Sequence, residues 1–264
     1  MQHAATAFTG KTAIVTGINR EIGAAIALMF VAAGCNVSAT YYGEYARVQP
    51  IIDAASALPG SLSVHELDLR VLEAHESLVQ QTVSRYGNLD FFIGNSGVTV
   101  FGSFMAMTEA DYDSVFDLNL KGSYFGAQAA ARQMLRQATS GRIVFSSSVT
   151  GITAMAGASI YGTSKAALRH LAAILGVELG RSGITVNAIA IGATLNERNL
   201  ADDPDYAALW SQLSPVGRVG TPEDVAEAVR FLCSDAAQLV NGHTLTIDGG
   251  WTHTSPLSAG ERHA

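Results

Sequence analysis

The stretch Thr12–Gly23, with the sequence TAIVTGINREIG, decides the fold because it leads from a strand through a glycine turn into a helix. Thr12–Thr16 is mostly apolar and β-branched, as is typical of a strand buried on both faces. Gly17 suits a tight turn, and Gly23 lets the helix approach the strand closely. The free N–H groups at the helix start would face an anion such as pyrophosphate. Glycine is common in any strand-to-helix turn, so an ordinary connection stays equally open.

Strands and helices alternate along the rest of the chain. Short runs rich in Val and Ile predict seven strands, at Thr12–Thr16, Asn36–Tyr41, Leu62–Leu67, Asp90–Gly94, Arg142–Ser147, Ile184–Ala190 and His243–Ile247. Longer patterns between them predict helices at Ile22–Ala33, Tyr45–Leu58, Val71–Tyr86, Thr108–Ala138, Tyr161–Arg181 and Pro222–Ser234. Thr108 and Thr221 are predicted N-caps, because acidic residues follow each of them in the first helical turn.

The alternation predicts right-handed crossovers and a single α/β domain over residues 1–264. We expect a three-layer, doubly wound sheet of seven mainly parallel strands with helices on both faces. Two segments interrupt the alternation. Residues 192–218 carry only a short helical pattern at Tyr206–Leu213. Residues 252–264 are small and polar, and we expect a mobile tail there.

Composition excludes several classes of function. The chain has 264 residues, of which 48% are hydrophobic and 15% charged, which is enough for a large core. A net charge of −7 and a pI near 5.4 argue against binding to nucleic acid or to an anionic membrane. Cys35 and Cys233 lie in apolar stretches without metal-ligating neighbours, which predicts buried thiols in a reducing compartment and no metal site. No signal peptide or membrane-spanning run is visible, so we expect a cytoplasmic protein.

Tyr161 and Lys165 are the clearest candidates for chemistry. They lie in Ser159–Ala167, SIYGTSKAA, at a spacing that places both side chains on one face of a helix. An ammonium beside a phenol stabilises the phenolate, so we expect the pKa of Tyr161 to fall toward neutral pH. A phenol tuned in this way acts as a general acid or base. As an isolated match, the pair is more often a half-exposed tyrosine and a surface lysine that never meet.

Further polar residues follow the third and fourth predicted strands, at the edge where an open α/β sheet binds its ligands. Asp68 follows the third strand and is a candidate acceptor for an adenine amino group, or else a helix N-cap. Asn95 follows the fourth strand, in Gly94–Gly97, GNSG, and is expected to line the same crevice or else to form a turn.

Taken together, the motifs resemble those of the single-domain branch of the short-chain dehydrogenase/reductase family, from about Lys11 to Trp251. The resemblance rests on motifs in the family's order and spacing, which are Thr16–Gly23 for TGxxxGIG, Gly94–Gly97 for NNAG, Asn119–Gly122 for NxxG, Ser148 ahead of Tyr161, Val186–Ala190 as the lead into a Pro-Gly pair, and Ile247–Gly250 for the C-terminal vDGG. Such a set in register is far more specific than Tyr161 and Lys165 alone.

The resemblance implies a Rossmann-like fold and hydride transfer between NAD(P)(H) and a substrate carbon. It implies that Tyr161 exchanges a proton with the substrate oxygen, that Lys165 lowers the pKa of Tyr161 and holds the nicotinamide ribose, and that Ser148 stabilises charge on the oxygen. Asn119 would hold a water between Lys165 and solvent, or else brace a helix. The residues that the resemblance assigns to cofactor binding are Gly17, Asn19, Arg20, Ile22, Gly23, Tyr42, Asp68, Leu69, Asn95, Ser96, Gly97, Tyr161, Lys165, Ile191, Gly192 and Thr194.

The chain departs from the family's NNAG pattern at Gly94 and Ser96, where we expect little effect, and two further departures matter more. Glu21 stands where TGxxxGIG has its second glycine, so we expect a carboxylate near the cofactor phosphates, with Arg20 as a candidate partner. Ile191 and Gly192 replace the Pro-Gly pair, and the loss of proline loosens the backbone there. Both departures bear on how firmly a nicotinamide cofactor is held.

The choice between the two nicotinamide cofactors rests on the ends of two predicted elements. NAD-binding members of the family usually carry an acid at the end of the second strand, where this chain has Tyr41 and Tyr42. Arg20 occupies a turn position that is often basic in NADP-binding members, and a guanidinium suits a 2′-phosphate. We therefore favour NADP(H) over NAD(H), with pairing between Arg20 and Glu21 as the equal alternative for Arg20.

The resemblance also places substrate contacts in residues 192–218, called the lid segment below. Candidates there and on neighbouring apolar walls are Asn196, Glu197, Arg198, Leu200, Tyr206, Trp210, Phe101, Phe104 and Met155. This mixture fits a small or medium alcohol, ketone or sugar. Each aromatic residue is individually better explained by ordinary packing.

Two other functions stay open. Reduction of a 3-oxoacyl group on an acyl carrier protein would use the same motifs and would need a basic docking patch, for which Arg132, Arg136 and Arg169 are candidates. A cofactor-binding protein without catalysis is the other alternative, which Glu21 and Ile191 keep open. The resemblance further implies a homotetramer or homodimer that is built on the two longest predicted helices.

Overall fold

Seven strands form one sheet in the computed structural model, which describes residues 7–254. The strands are β1 (Thr12–Val15), β2 (Asn36–Tyr41), β3 (Ser61–Glu66), β4 (Phe91–Gly94), β5 (Arg142–Ser148), β6 (Thr185–Ile191) and β7 (Thr244–Ile247). Their order is β3-β2-β1-β4-β5-β6-β7, and every neighbouring pair is parallel. The predicted parallel sheet is confirmed.

Helices cover both faces of this sheet. They are α1 (Glu21–Ala32), α2 (Gln49–Ala55), α3 (Leu72–Tyr86), α4 (Glu109–Phe116), α5 (Ser123–Gln137), α6 (Ser159–Leu179), α7 (Glu197–Asp202), α8 (Tyr206–Leu213) and α9 (Pro222–Cys233). One core joins α1, α2 and α9 to side chains such as Val15, and the other joins α3, α5 and α6 to side chains such as Ile14. Because neighbouring strand residues point to opposite faces, the central strands β1, β4, β5 and β6 contribute to both cores. The predicted three-layer arrangement is therefore confirmed.

The strand order reverses beside β1, because the chain passes to β2 and β3 on one side and returns to β4 on the other. Such a reversal leaves a crevice beyond the carboxyl ends of the strands. Thr16 ties the two loops at this point together: its N–H donates to Ile93 O (3.1 Å), and its Oγ1 accepts from Asn95 N (2.9 Å). The loops after β1, β4, β5 and β6 therefore share one edge of the sheet.

Two predicted helices differ from the observed ones. The predicted helix at Thr108–Ala138 is α4 and α5 separated by a π-helical turn at Asp117–Gly122. The predicted helix at Tyr45–Leu58 is a 3₁₀ turn followed by the shorter α2, which has proline in its first turn. Proline has no N–H to donate and suits only that first turn, so it fixes where α2 begins.

The predicted helix starts and the lid segment agree more closely with the structure. Thr108 and Thr221 both form capping boxes with an aspartate three residues later. The predicted short helix is α8, whereas α7 was not predicted; the Asn196 side chain caps α7 by accepting from Asn199 N at 2.8 Å. Trp251–His253 forms a 3₁₀ turn, and the rest of the predicted tail, residues 255–264, lies outside the described residues.

Candidate active site

The turn between β1 and α1 has the geometry of a phosphate cradle. Gly17 has a φ of 72°, and a Cβ added there would lie 2.7 Å from Ser96 Oγ. A Cβ on Gly23 would collide with the Gly17 carbonyl, so both positions require glycine. The first turn of α1 thus packs directly on the loop with its leading N–H groups free of intrahelical partners. This arrangement fits the pyrophosphate of a dinucleotide.

Asn95 braces the floor of the crevice. Its Nδ2 donates to Thr16 O at 3.0 Å and to Gly17 O at 3.2 Å, while its Oδ1 accepts from Ser146 Oγ at 3.1 Å. These bonds join the ends of β1, β4 and β5. The amide of Asn95 is therefore engaged in fixing the turn, and the neighbouring Ser96 and Gly97 form the rest of the crevice wall on this side.

Ser148, Tyr161 and Lys165 meet at the carboxyl end of β5. Ser148 is the last residue of β5, and both other residues lie on the first turns of α6. The side chains of Ser148 and Thr99 lie close enough to the Tyr161 hydroxyl to lower its pKa. The Nζ of Lys165 lies 5.6 Å from the centroid of the Tyr161 ring. Because α6 packs against β5, the two residues predicted to share a helix face also share the crevice with Ser148.

The pKa of Tyr161 differs from the sequence-based expectation. Burial raises this pKa above its ordinary value, while the hydroxyls of Ser148 and Thr99 and the charge of Arg198 act in the opposite direction. The Lys165 ammonium donates to Ser146 O at 2.7 Å and is not among the groups that shift the pKa of Tyr161. The expected fall of the pKa through Lys165 is therefore wrong for this arrangement.

The Lys165 side chain is buried, including its amino group. Burial lowers its pKa from 10.5 to about 8. A Cβ added at Gly97 would lie 3.3 Å from Lys165 Nζ and 3.0 Å from Asn119 Oδ1, so glycine there leaves room for the lysine. A buried lysine without a carboxylate beside it is a common feature of functional sites.

Asn119 lies in the π-helical turn and faces the same crevice. Its Oδ1 accepts from Val98 N at 2.8 Å, and its Nδ2 donates to Val98 O at 3.0 Å and to Ser164 Oγ at 3.3 Å. The amide therefore joins the loop after β4 to α6, one residue from Lys165. This geometry corresponds to the bracing role that the sequence left open, and single π turns are frequent at functional sites.

Asp68 forms an ion pair that the sequence did not predict. Its Oδ2 lies 2.7 Å from Arg70 Nη2, and this guanidinium lowers the pKa of the carboxyl group. Arg70 in turn lies 5.7 Å from the centroid of the exposed Tyr42 ring, whereas Leu69 is buried. Asp68 does not cap α3, whose N-cap is Val71 without a side-chain bond. A basic residue two positions after Asp68 is the sequence signal that would have revealed this pair.

The predicted pairing of Arg20 with Glu21 is wrong. Arg20 Nη2 lies 2.9 Å from Glu44 Oε2, and the Glu21 carboxylate accepts a hydrogen bond from Glu197 N at 2.7 Å. Asn19 Nδ2 donates to Tyr42 O at 3.4 Å, which ties the turn to the loop after β2. Glu44 has a φ of 48°, which is uncommon for a residue other than glycine. This left-handed conformation places its carboxylate against the turn.

The loop after β6 is fixed although it lacks proline. Ile191 continues β6 opposite Ser148, and Gly192 N donates to Ile247 O at 2.9 Å. A Cβ on Gly192 would lie 2.6 Å from Asp248 Cβ, so the close approach of β7 requires glycine here. The buried Thr194 donates through Oγ1 to Gly192 O at 3.1 Å. Sheet pairing thus replaces the rigidity that proline would supply.

Aromatic side chains lie beside Tyr161 and in the lid segment. The rings of Phe101 and Tyr161 lie 5.7 Å apart in an edge-to-face contact. Phe101 is 54% exposed and Phe104 is 77% exposed, which makes them available to a ligand. In the lid segment, Trp210 contacts Tyr206 at 5.9 Å and Trp251 at 5.2 Å between ring centroids, so these aromatic residues pack on each other.

Two other features, a metal site and a membrane-spanning helix, lack support among the described residues. Within residues 7–254, no group of three or more His, Cys, Asp or Glu side chains is placed to hold a metal ion. The same part of the chain has no helix that is long and apolar enough to span a membrane.

The phosphate cradle and the Ser148, Tyr161 and Lys165 side chains on one sheet edge define a nicotinamide-dependent oxidoreductase. A family model described as enoyl-(acyl carrier protein) reductase matches residues 17–252. The 3-oxoacyl-[acyl-carrier-protein] reductase FabG of Staphylococcus aureus is 34% identical over 242 residues, which cover 91% of this chain and 97% of that protein. A probable tetrahydroxynaphthalene reductase of Zymoseptoria tritici is 32% identical over 256 residues, covering 91% and 94%.

Solved structures agree with these relatives. A short chain dehydrogenase of Burkholderia cenocepacia in complex with NADP superposes with a TM-score of 0.86 and 33% identity, covering 93% of this chain and 99% of that one. The chain belongs to the short-chain dehydrogenase/reductase family. It is an NAD(P)-dependent oxidoreductase that acts on a CH–OH group or on the corresponding keto group.

Proposed function

We propose that the protein interconverts a small or medium alcohol and its ketone, with NADP(H) as the preferred cofactor and Tyr161 as the general acid and base. The observation that carries this proposal is the proximity of Ser148 and Thr99 to the Tyr161 hydroxyl and of the buried Lys165 to the Tyr161 ring. The three groups lie at the edge of the sheet that holds the phosphate cradle. NADP(H) supplies or accepts the hydride when bound.

The side chains divide the proton chemistry between them. During reduction, Tyr161 gives its proton to the substrate oxygen, and during oxidation it takes that proton back. The Ser148 hydroxyl donates to the same oxygen and stabilises the charge that develops there. The Lys165 ammonium, which Ser146 O holds beside the Tyr161 ring, would donate to the nicotinamide ribose of a bound cofactor. Asn119 holds the loop after β4 against the start of α6.

Three features support NADP(H) as the preferred cofactor. Arg20 lies in the turn, Arg70 lies over Tyr42, and the second strand ends without an acid at Tyr41. The structure from Burkholderia cenocepacia that resembles this chain holds NADP. Arg20 is paired with Glu44, so a 2′-phosphate would have to compete with that carboxylate. Titration of the protein with NADPH and NADH, followed by nicotinamide fluorescence, tests this choice; equal dissociation constants would contradict it.

The surface around Tyr161 indicates which class of substrate the protein accepts. Phe101 packs against the Tyr161 ring, and the exposed Phe104 and Met155 are further apolar candidates for substrate contact. The test is a panel of ketones, alcohols and sugars with both cofactors, followed by absorbance of the reduced nicotinamide. Turnover of at least one small compound is expected, and no turnover across the panel would contradict the proposal.

Reduction of a 3-oxoacyl group on a carrier protein is the second candidate, which the identity to the Staphylococcus aureus reductase favours. The three arginines proposed as a docking patch do not act as one. Arg132 pairs with Glu76 at 2.9 Å, Arg136 bonds Gln133, and Arg169 donates to Gly151 O. A salt-dependent inhibition of small-ketone reduction by acyl carrier protein would favour this candidate over the first.

A cofactor-binding protein without catalysis is the third candidate. It would bind NADPH in the titration and turn over nothing. The presence of Ser148, Tyr161 and Lys165 in one contacting group speaks against it, because a protein that only binds the cofactor needs no acid beside the nicotinamide.

We propose that the protein assembles as a homotetramer, or as a homodimer, through α5 and α6. Both helices expose apolar side chains, with Ile174 44% exposed and Val177 84% exposed on α6. A contiguous apolar face on a folded chain is typical of an interface. Light scattering of the protein and of Val177→Glu tests this: the variant is expected to shift toward smaller species, and a monomeric wild type would contradict the proposal.

A further inference from the structure

A chain of polar contacts joins the cofactor turn to the lid segment. The Glu21 carboxylate at the start of α1 accepts from Glu197 N at the start of α7, at 2.7 Å. The Glu197 carboxylate in turn forms an ion pair with Arg47, which lies in the loop after β2. Arg47 Nε also lies 3.6 Å from Glu44 Oε1, next to the pair between Glu44 and Arg20. Three loops that are distant in sequence therefore meet at Glu197.

These contacts depend on side chains that the reaction itself does not need. Glu21 stands where the family's turn has glycine, and glycine has no side chain with which to reach the lid segment. The charges are complementary, because Arg47 lowers the pKa of the Glu197 carboxyl and Glu197 raises the pKa of Arg47. Each contact is exposed and individually weak. Together they hold α7 at two points, one on its backbone and one on its first side chain.

The contact between Glu21 and Glu197 lies beside the phosphate cradle. Glu21 is the first residue of α1, whose free N–H groups face the phosphate cradle. The start of α7 therefore lies directly against the mouth of the cradle. A contact at this place can therefore affect the release of a dinucleotide that occupies the cradle.

We propose that Glu21 and Arg47 are positioning residues that latch the start of α7 onto the cofactor turn and thereby slow the release of the nicotinamide cofactor. The proposal rests on the proposed function only in placing the cofactor in this cradle. Glu21 supplies an acceptor oxygen to the backbone of α7, and Arg47 supplies the ion pair to its side chain. Neither residue touches the reacting atoms.

The first experiment separates the hydrogen bond of Glu21 from its charge. Glu21→Gly restores the family's turn and removes the latch, whereas Glu21→Gln keeps an acceptor oxygen and removes the charge. The readouts are hydrogen exchange at the Glu197 amide in the cofactor-free protein and the dissociation rate of NADPH by stopped-flow fluorescence. We expect Glu21→Gly to raise both rates about threefold to tenfold, the value of one charged surface hydrogen bond. Glu21→Gln is expected to keep the amide exchange within about twofold of the wild type.

The second experiment tests the ion pair with a matched control. Arg47→Gln is expected to raise the NADPH dissociation rate about twofold to fivefold, and added salt should do the same to the wild type. Arg230→Gln removes an exposed arginine that pairs with Glu227 within α9, and it should leave the rate unchanged. Equal effects of the two variants would overturn the role of Arg47.

Two results would overturn the latch. One is an unchanged hydrogen-exchange rate at the Glu197 amide in Glu21→Gly. The other is a faster exchange of this amide without a change in the NADPH dissociation rate. A wild type that binds neither NADPH nor NADH would refute the cofactor site itself. The exchange experiment distinguishes these failures, because it is read in the cofactor-free protein.

Discussion

At the scale of single residues, Lys165 is the most unusual group in the site. Its side chain is 5% exposed, and its ammonium donates to the Ser146 carbonyl. No carboxylate contributes to its pKa, which burial alone lowers to about 8. The protein therefore holds a lysine that releases its proton at a lower pH than an exposed lysine does. A proton that is this easily lost is useful beside a tyrosine that must exchange one.

The lowered pKa of Lys165 predicts a particular dependence of stability on pH. The unfolded chain keeps this proton up to about pH 10.5, whereas the folded protein loses it near pH 8. The free energy of unfolding of the wild type should therefore rise relative to that of Lys165→Met between these pH values, by up to about 3 kcal/mol. Urea unfolding of both proteins at pH 7 and pH 10 measures the difference, in which all other titrating groups cancel. A difference that does not change with pH would contradict the burial of a titrating lysine.

The structure brings Ser148, Tyr161 and Lys165 together, but the electrostatics of the group differ from the expectation. The spacing predicted that Tyr161 and Lys165 share a helix face, and the resemblance to the family added Ser148. The direction of the pKa shift of Tyr161 could not be predicted, because it depends on burial and on the contacts of the Lys165 ammonium. Thr99 was missed as a partner of the phenol since a threonine in an apolar loop gives no signal of its own.

At the scale of elements, the end of the lid segment is fixed to α9. Arg218 donates to both oxygens of Asp224, at 2.6 and 2.7 Å, and Asp224 also forms the capping box with Thr221. The guanidinium lowers the pKa of the Asp224 carboxyl to about 2. The Asp224 carboxylate thus caps α9 and anchors the end of the lid segment. Glu21 contacts the same segment nearer its start, at α7.

Asp224→Asn should destabilise the protein by about 1–2 kcal/mol at pH 7, because it weakens the capping box and the bidentate ion pair. The contribution of Asp224 is present above about pH 4 and is lost as the pH falls toward 2, since the folded pKa lies below the unfolded one. Chemical unfolding at pH 7 and pH 2.5 measures this; the difference in the free energy of unfolding between the two proteins should be clearly smaller at pH 2.5. An equally large difference at both pH values would contradict the ion pair.

The interruption between α4 and α5 shows why element bounds were harder to predict than element types. A π turn adds one residue to the helix and leaves the apolar pattern on both sides intact, so the pattern reads as one helix. The buried Asn119 was the available clue, because an amide inside a helix needs partners. It finds them in Val98 and Ser164.

At the scale of the whole molecule, the sheet order brings all the chemistry to one edge. The reversal of strand order beside β1 opens the crevice, and β4, β5 and β6 deliver Gly97, Ser148 and Gly192 to it. The sequence predicted this arrangement well, because the strands are short, apolar and regularly spaced. The links across the crevice mouth, such as Glu21 to Glu197, join residues far apart in the chain and left no pattern in the sequence.

The most direct test of the proposed chemistry is turnover by Tyr161→Phe, with NADPH binding measured on the same sample. We expect the dissociation constant of NADPH to stay within about threefold of the wild type and turnover of the best ketone to fall by about 10²-fold or more. Tyr124→Phe, which changes an exposed tyrosine of α5 in the same way, should keep full activity. Tyr161→Phe with wild-type turnover would contradict the assignment of Tyr161 as the general acid and base.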